Sequence, residues 1–302
     1  RFTFFRHLMA RINLKGMGVA LITPFRSDKT IDFDALARLL EYQIKNGTDY
    51  LVVLGTTAET PALTPDEKRQ VREFVAERVA GRIPLVIGIG GNNTAAVVNE
   101  LQTTDLSAYS AVLSVVPYYN KPSQEGIYRH YEAIATASPL PVILYNVPGR
   151  TGVNMSADTT LRLARDFHNI IGVKEASGNI TQMDDIIKRK PEEFMVISGD
   201  DGITFPLITL GAVGVISVIG NAFPKEFSRM VRLALSGDYQ RALTIHHRFT
   251  ELFSLLFVDG NPAGVKCLLH AMGYIENELR LPLVPTRITT YEKIRQVLTS
   301  LN

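Results

Sequence analysis

Short apolar runs alternate with longer amphipathic segments over most of the chain. Near-continuous apolar runs of four to eight residues are typical of parallel strands that are covered on both faces. The pattern therefore predicts eight buried strands. They lie in GVALITPF (18–25), YLVVLG (50–55), PLVIGIG (84–90), AYSAVLSVVP (108–117), PVILYNVP (141–148), IIGVKEA (170–176), FMVISGDD (194–201) and GVISVIG (214–220).

The segments between these runs have the spacing and the end signals of helices. In residues 32–47 a leucine stripe has helical spacing, and Gly47 ends the pattern. Residues 64–81 begin with Thr64 in the capping position and Pro65 at the first helical position. Strands followed by helices in regular alternation predict an α/β protein.

Eight strand and helix units predict a (β/α)8 TIM barrel. A doubly wound open sheet is the main alternative, but it usually has fewer strands. Beyond about residue 237 three helical segments follow each other with no strand between them. We therefore expect an N-terminal extension over residues 1–15, a catalytic barrel over 16–236 and a C-terminal helical appendage over 237–302.

Composition removes several classes of function. The 302 residues carry a net charge of +2, with acids and bases interspersed, so no basic surface for nucleic acid or anionic membranes is predicted. Cys267 is the only cysteine, which excludes an intrachain disulfide and a cysteine zinc site. No apolar stretch has the roughly 20 residues that span a bilayer, and the first ten residues lack signal-peptide features. We therefore expect a cytoplasmic protein.

In TIM barrels, function collects where the strands end at their carboxyl side. Polar side chains follow several of the predicted strands at that point. Strand two is followed by GTTAE, strand four by PYYNKPS and strand five by GRTG, and strand six contains a lysine. The candidate residues are Thr56, Thr57, Tyr119, Tyr145, Arg150 and Lys174.

Lys174 interrupts the buried run IIGVKEA. A buried ammonium is costly unless it is paired or loses its proton. A neutral amine is a nucleophile toward carbonyl carbon and forms a Schiff base, which turns the adjacent carbon into an enamine. The alternative is a structural ion pair with Glu175, although neighbours on a strand point to opposite faces. The residues favour the catalytic interpretation and leave the structural one open.

Schiff-base chemistry needs proton transfer and a place for the substrate. The hydroxyl groups of Tyr145, Thr56 and Tyr119 are candidates for proton transfer, although an isolated tyrosine is more often a rim residue with its hydroxyl in water. Thr56 and Thr57 precede a helix, where a carboxylate can be held. Arg150 can bind a carboxylate with two hydrogen bonds, or it can be a solvated surface residue.

Two acidic residues after strand seven, Asp200 and Asp201, could in principle bind a metal. No further ligand stands at a suitable spacing from them. We therefore expect the two carboxylates to cap backbone N–H groups.

Taken together, these motifs resemble those of a known family. GTTAE, PYYNKPSQEG, LYNVPGRTG, GVKEASGN, SGDD and GVISV occur in one order between Gly18 and Pro285. In that order they resemble the dihydrodipicolinate synthase family of pyruvate-dependent class I aldolases. The resemblance implies a lyase of lysine and diaminopimelate biosynthesis that needs no cofactor. It would condense pyruvate with L-aspartate 4-semialdehyde.

The resemblance also implies roles for the catalytic candidates. Lys174 would form the Schiff base with pyruvate, and Tyr145, Thr56 and Tyr119 would relay protons. Tyr119 would reach in from the neighbouring subunit, so the assembly would be at least a dimer and is expected to be a homotetramer, a dimer of dimers.

The remaining implied roles concern substrate binding. Thr57 would hold the pyruvate carboxylate, and Arg150 would receive the carboxylate of the semialdehyde. Gly199 and Ile216 would line the pyruvate pocket through backbone groups.

Three functions stay open at this point. The synthase is favoured because GRTG (149–152) supplies a guanidinium for a carboxylate-bearing aldehyde, whereas a sugar needs hydroxyl partners. Another pyruvate aldolase, such as an N-acetylneuraminate lyase or a 2-keto-3-deoxy sugar-acid aldolase, is the second. A catalytically silent ligand-binding barrel is the third.

Overall fold

A computed structural model describes residues 12–301 of the chain. Within that range eight parallel strands form one closed barrel in chain order, and the last strand pairs with the first. The predicted TIM barrel is therefore confirmed. The strands are β1 (Gly16–Ala20), β2 (Tyr50–Val53), β3 (Leu85–Gly88), β4 (Ala111–Val115), β5 (Val142–Asn146), β6 (Ile170–Glu175), β7 (Met195–Ser198) and β8 (Gly214–Ser217).

Helices connect the strands and continue beyond the last one. None of the helices in residues 12–301 is long and apolar enough to cross a membrane. Helices α10 to α12 follow the barrel without an intervening strand, as the sequence predicts. The helices are α1 (Phe33–Lys45), α2 (Pro65–Val79), α3 (Thr94–Thr103), α4 (Gln124–Ala137), α5 (Pro148–Thr151), α6 (Ala157–Asp166), α7 (Ile180–Arg189), α8 (Thr204–Leu210), α9 (Pro224–Leu235), α10 (Tyr239–Leu255), α11 (Ala263–Ala271) and α12 (Ile288–Leu301).

The predicted helix start at Thr64 is confirmed in atomic detail. The Thr64 side chain accepts a hydrogen bond from the Glu67 backbone N–H at 3.2 Å, and the Glu67 carboxylate accepts one from the Thr64 N–H at 2.9 Å. This reciprocal pair satisfies backbone donors that the first turn of a helix leaves free. It fixes the direction in which α2 leaves the loop after β2.

Alternate residues of each strand face two separate apolar layers. On β5, Val142 and Leu144 pack between the barrel and its helices, whereas Ile143 and Tyr145 lie inside the barrel. Successive side chains of a strand point to opposite faces, so an inward position is shared by every second residue. Side chains fill the barrel interior, and the polar candidate residues lie at its carboxyl end.

One sequence-based boundary differs from the structure. The first predicted strand extends to Phe25, but β1 ends at Ala20. Further along, the Ile22 N–H donates to the Asn221 side chain at 3.2 Å, and Phe25 forms an isolated antiparallel bridge with Ile31. The apolar run of the sequence therefore continues beyond Ala20, the last residue of β1. Most of the predicted N-terminal extension, residues 1–11, lies outside the described residues.

Candidate active site

Lys174 and Tyr145 lie side by side inside the barrel. They are register partners on β6 and β5, and both are buried, with 6% and 7% of their surface exposed. The Lys174 Nζ atom is 4.1 Å from the centroid of the Tyr145 ring. A basic side chain is thereby held close to an aromatic hydroxyl residue at the carboxyl end of the strands.

Glu175 lies on the opposite face of β6 and has partners of its own. Its carboxylate accepts hydrogen bonds from Asn146 Nδ2, the Ser177 N–H and Gln182 Nε2, each at 3.1 Å. Burial raises the pKa of the Glu175 carboxyl group, against the opposing effect of these hydrogen bonds. The carboxylate is thus committed to a network behind the barrel wall. The structural pair with Lys174, left open by the sequence, is not formed.

The strand β6 contains an irregularity that the sequence did not predict. Pairing with β5 shifts register after Ile170, so that Ile143 lies opposite Gly172. Beyond this shift, Tyr145 pairs with Lys174 and Asn146 with Glu175. The shift brings Lys174 into line with the inward residue of β5 and Glu175 into line with the outward one.

Thr56 and Thr57 form the start of a short 3-10 turn directly after β2. Thr57 is buried, and its Oγ1 accepts a hydrogen bond from Asn261 Nδ2 at 2.9 Å. Asn261 precedes α11 and so belongs to the C-terminal helical region. The sequence does not single out this residue, because the Asn-Pro pair at 261–262 indicates only a turn.

Arg150 lies on the short helix α5 that follows β5, and it is exposed. One of its terminal nitrogens is 3.4 Å from the Asn261 backbone oxygen. Asn261 therefore contacts both Thr57 and Arg150. The structure brings these two predicted substrate residues to one side of the site although they follow different strands.

Gly199 lies against the side chain of Lys174. A Cβ atom at residue 199 would lie 3.2 Å from Lys174 Cε and 2.7 Å from Ala176 Cβ, a distance that atoms do not tolerate. Only glycine fits at this position. Ile216 is buried in the barrel interior, in the same apolar cluster as Tyr145.

The acidic pair after β7 binds backbone groups, as predicted. Asp200 accepts from the Gly202 N–H at 2.8 Å, and Asp201 accepts from the N–H groups of Val218 and Ile219 at 3.1 and 2.8 Å. Burial raises the pKa of Asp201 to about 6. Within residues 12–301, no group of three or more histidine, cysteine or acidic side chains is placed to hold a metal ion.

Tyr119 differs from Lys174, Tyr145 and Thr57 because the residue is 87% exposed. It follows β4 and has a φ of 75°, a left-handed conformation that is uncommon for a non-glycine residue. Its backbone N–H donates to the Thr151 carbonyl at 3.0 Å, which connects this loop to α5. The structure brings Lys174, Tyr145 and Gly199 together but leaves Tyr119 exposed to solvent.

A buried lysine beside a tyrosine at the carboxyl end of a TIM barrel is the arrangement expected of a class I aldolase, which forms a Schiff base on a lysine. The model of the dihydrodipicolinate synthetase family matches residues 13–301. The chain therefore belongs to the dihydrodipicolinate synthetase family, whose members are lyases. This membership confirms the synthase function and the enzyme class predicted from the sequence.

Individual relatives agree with the family match. The chain is 73% identical to a 4-hydroxy-tetrahydrodipicolinate synthase of Parabacteroides distasonis, with 97% of this chain and 99% of the relative covered. It is 72% identical to the synthase of Phocaeicola vulgatus, with 97% and 99% covered. The crystal structure of dihydrodipicolinate synthase from Aquifex aeolicus is 43% identical, with a TM-score of 0.92 over 95% of this chain and 98% of that one.

Proposed function

We propose that the chain condenses pyruvate with L-aspartate 4-semialdehyde through a Schiff base on Lys174. The observation that carries the proposal is the buried pair of Lys174 and Tyr145, with Nζ 4.1 Å from the ring centroid. Glu175 is occupied by other donors, so the Lys174 amine is not committed to it. An amine in this position is suited to attack a carbonyl carbon.

The proposed reaction begins when the neutral Lys174 amine adds to the ketone carbon of pyruvate. Loss of water gives the imine, and loss of a methyl proton gives the enamine. The enamine carbon attacks the aldehyde carbon of the second substrate, whose oxygen takes up a proton. The amino group of that substrate then attacks the imine carbon, closes the ring and releases the lysine amine.

Each of these steps moves a proton, and hydroxyl groups near the amine can carry it. We assign the relay to Tyr145, Thr56 and Tyr119 of a neighbouring subunit. The position of Tyr145 beside Lys174 supports the first assignment, and the location of Thr56 in the turn after β2, at the carboxyl end of the barrel, supports the second. The exposure of Tyr119 supports a role outside its own chain.

Two carboxylates need partners in this reaction. We assign the pyruvate carboxylate to Thr57, with Gly199 and the backbone at Ile216 lining the same pocket. The tight approach of Gly199 to Lys174 supports a small substrate there. We assign the semialdehyde carboxylate to Arg150, whose exposed guanidinium can form two parallel hydrogen bonds with it.

The proposed assembly follows from the assignment of Tyr119. We propose at least a dimer, in which each subunit contributes Tyr119 to the other, and a dimer of dimers as the full assembly. Sedimentation at working concentrations measures this state directly. We also propose a cytoplasmic location, which cell fractionation tests.

Reduction with borohydride in the presence of pyruvate tests the central assignment. The expected product is a protein carrying one reduced pyruvate adduct on the peptide that contains Lys174. The variant Lys174→Ala should take up no adduct. Lys121→Ala is the matched control, because Lys121 is an exposed lysine in the loop that follows β4. An adduct on another lysine, or none on the wild type, would contradict the mechanism.

The choice of second substrate is tested separately. With pyruvate present, L-aspartate 4-semialdehyde should be consumed, whereas N-acetylneuraminate and 2-keto-3-deoxy sugar acids should not be cleaved. Cleavage of a sugar acid with normal Schiff-base trapping would assign the chain to another pyruvate aldolase activity. The two experiments therefore separate the Schiff-base step from the identity of the aldehyde.

A further inference from the structure

A buried ion pair lies directly behind the turn that carries Thr56 and Thr57. The side chains of Glu59 and Lys266 are both 0% exposed, and Lys266 Nζ is 2.5 Å from a Glu59 oxygen. Removing two charges from water is costly, and well-packed apolar residues often serve a fold equally well. A fully buried pair beside a proposed active site therefore raises the question of what it does there.

Both charges are bound by further groups from the C-terminal region. The other oxygen of Glu59 accepts from the Arg280 backbone N–H at 3.0 Å. Lys266 donates to the Glu278 carbonyl at 2.9 Å and lies 4.1 Å from the centroid of the Phe25 ring. Burial lowers the pKa of Lys266 to about 8, an effect that the Glu59 charge opposes. The pair is thus locked from several sides and has little freedom to move.

Glu59 also has an unusual backbone. Its φ of 56° and ψ of 34° are left-handed, a conformation that a glutamate seldom adopts and that persists where surrounding contacts impose it. Its N–H donates to the Thr56 carbonyl at 3.1 Å and closes the turn over Thr56–Ala58. The conformation of Glu59 thereby helps to fix the backbone of the turn that carries the two threonines.

Helix α11 reaches this turn at two points. Lys266, within the helix, binds Glu59, and Asn261, just before it, donates to Thr57 Oγ1. These contacts join residues more than 200 positions apart in the chain. The helix therefore holds the turn at its first half through Thr57 and at its end through Glu59.

We propose that Glu59 and Lys266 are positioning residues for the reaction. Their ion pair holds the Thr56 and Thr57 hydroxyls in place relative to the Lys174 amine, and α11 is the rigid element that supports it. The inference rests on the proposed function, in which the Thr56 hydroxyl transfers protons and Thr57 binds the pyruvate carboxylate. Neither residue needs to contact a substrate.

Three variants test this inference: Glu59→Gln, Lys266→Met and the double variant E59Q/K266M. The single variants each leave one charge buried without its partner, so some loss of thermal stability is expected from both. The double variant removes both charges, and its thermal midpoint should recover toward that of the wild type. The double variant gives the decisive comparison, because its activity can be compared with that of the wild type at similar stability.

For the double variant we expect the kinetics not to recover. Displacement of a catalytic group by about 1 Å can cost about a hundredfold in rate. We expect kcat/KM for pyruvate and the rate of borohydride trapping to fall by about tenfold to a hundredfold. KM for the semialdehyde should remain within about twofold, because Arg150 is held by α5. A double variant whose trapping rate and kinetic constants equal those of the wild type would overturn the inference. The ion pair would then have a structural role only.

Asp49→Asn is the matched control. Asp49 lies just before β2, at the end of the strand that is opposite to the Thr56–Ala58 turn. Its carboxylate accepts hydrogen bonds from the Arg232 guanidinium at 2.9 Å and from the Met17 N–H at 2.8 Å. Loss of this charge should lower the thermal midpoint but leave kcat and the pyruvate KM unchanged. Failure of the proposed function is seen independently, as a wild type that is not labelled on Lys174. A labelled wild type with an unimpaired double variant rejects the positioning role alone.

Discussion

The most informative single residue for the second substrate is Arg150. Its guanidinium is exposed, and its contact with the Asn261 carbonyl is long, at 3.4 Å. Arg150→Ala should therefore weaken use of L-aspartate 4-semialdehyde, by about 2–5 kcal/mol in transition-state free energy. Pyruvate trapping on Lys174 should proceed at the wild-type rate. Steady-state kinetics with each substrate varied in turn gives both values.

Arg129→Ala is the control for this prediction. Arg129 is an exposed arginine on α4 that binds Glu125 and Glu132 of the same helix. Exposed helix pairs of this kind contribute little, so neither substrate step should change. Equal losses of trapping and of semialdehyde use in Arg150→Ala would instead mark Arg150 as a structural residue.

His130 carries a prediction about pH at the same scale. It is buried on α4, its Nδ1 lies 2.8 Å from Thr94 Oγ1, and burial lowers its pKa from 6.5 to about 4. Between these values the unfolded chain binds the proton and the native chain does not, so stability falls as pH falls from 6.5 to 4. Urea unfolding of the wild type and of His130→Asn at pH 7 and pH 5 measures this effect.

We expect His130→Asn to lose less stability than the wild type between pH 7 and pH 5, by about 2 kcal/mol. The variant itself is expected to be less stable at pH 7, because its smaller side chain leaves a packing defect. All other titratable groups are common to both proteins, so the difference isolates His130. An identical acid dependence in the two proteins would show that His130 does not titrate as described.

At the scale of elements, the sequence predicts the features that local periodicity determines. The alternation of strand side chains is enough to place Lys174 and Glu175 on opposite faces, and Thr64 is enough to start α2. The β6 register shift is different, because it depends on how two strands pair rather than on either sequence. The end of β1 is a further case, since the hydrogen bond from Ile22 goes to a side chain 199 residues away.

The supports of the site depend on contacts between distant elements. Asn261 binds Thr57 across 204 positions, and Lys266 binds Glu59 from within α11. In the sequence, Lys266 stands in an otherwise apolar helix segment, which is the same signal that singled out Lys174. A charged residue in a buried pattern therefore identified one functional candidate here and could have identified two. Periodicity cannot supply the partner, because pairing is decided by packing of the whole barrel.

At the scale of the whole molecule, the proposed relay is incomplete within one chain. Tyr145 and Lys174 come from neighbouring strands of the same barrel, whereas the Tyr119 ring is 87% exposed on a left-handed loop. In the proposed dimer, a second copy that presents its own Tyr119 would complete both sites by symmetry, since a two-fold interface uses the same surface of each subunit. The complete site would then belong to the dimer.

Subunit mixing tests this arrangement. Tyr119→Phe and Lys174→Ala should each be nearly inactive alone, and activity should return when the two are mixed and allowed to exchange. Random exchange makes half of the dimers mixed, each with one complete site, so about a quarter of wild-type activity is expected. The matched control mixes Lys174→Ala with Tyr145→Phe. Because Tyr145 and Lys174 lie in the same chain's site, that mixture should stay inactive. Exchange demonstrated by mass spectrometry without recovery in the first mixture, or with equal recovery in both, would show that Tyr119 does not act across subunits.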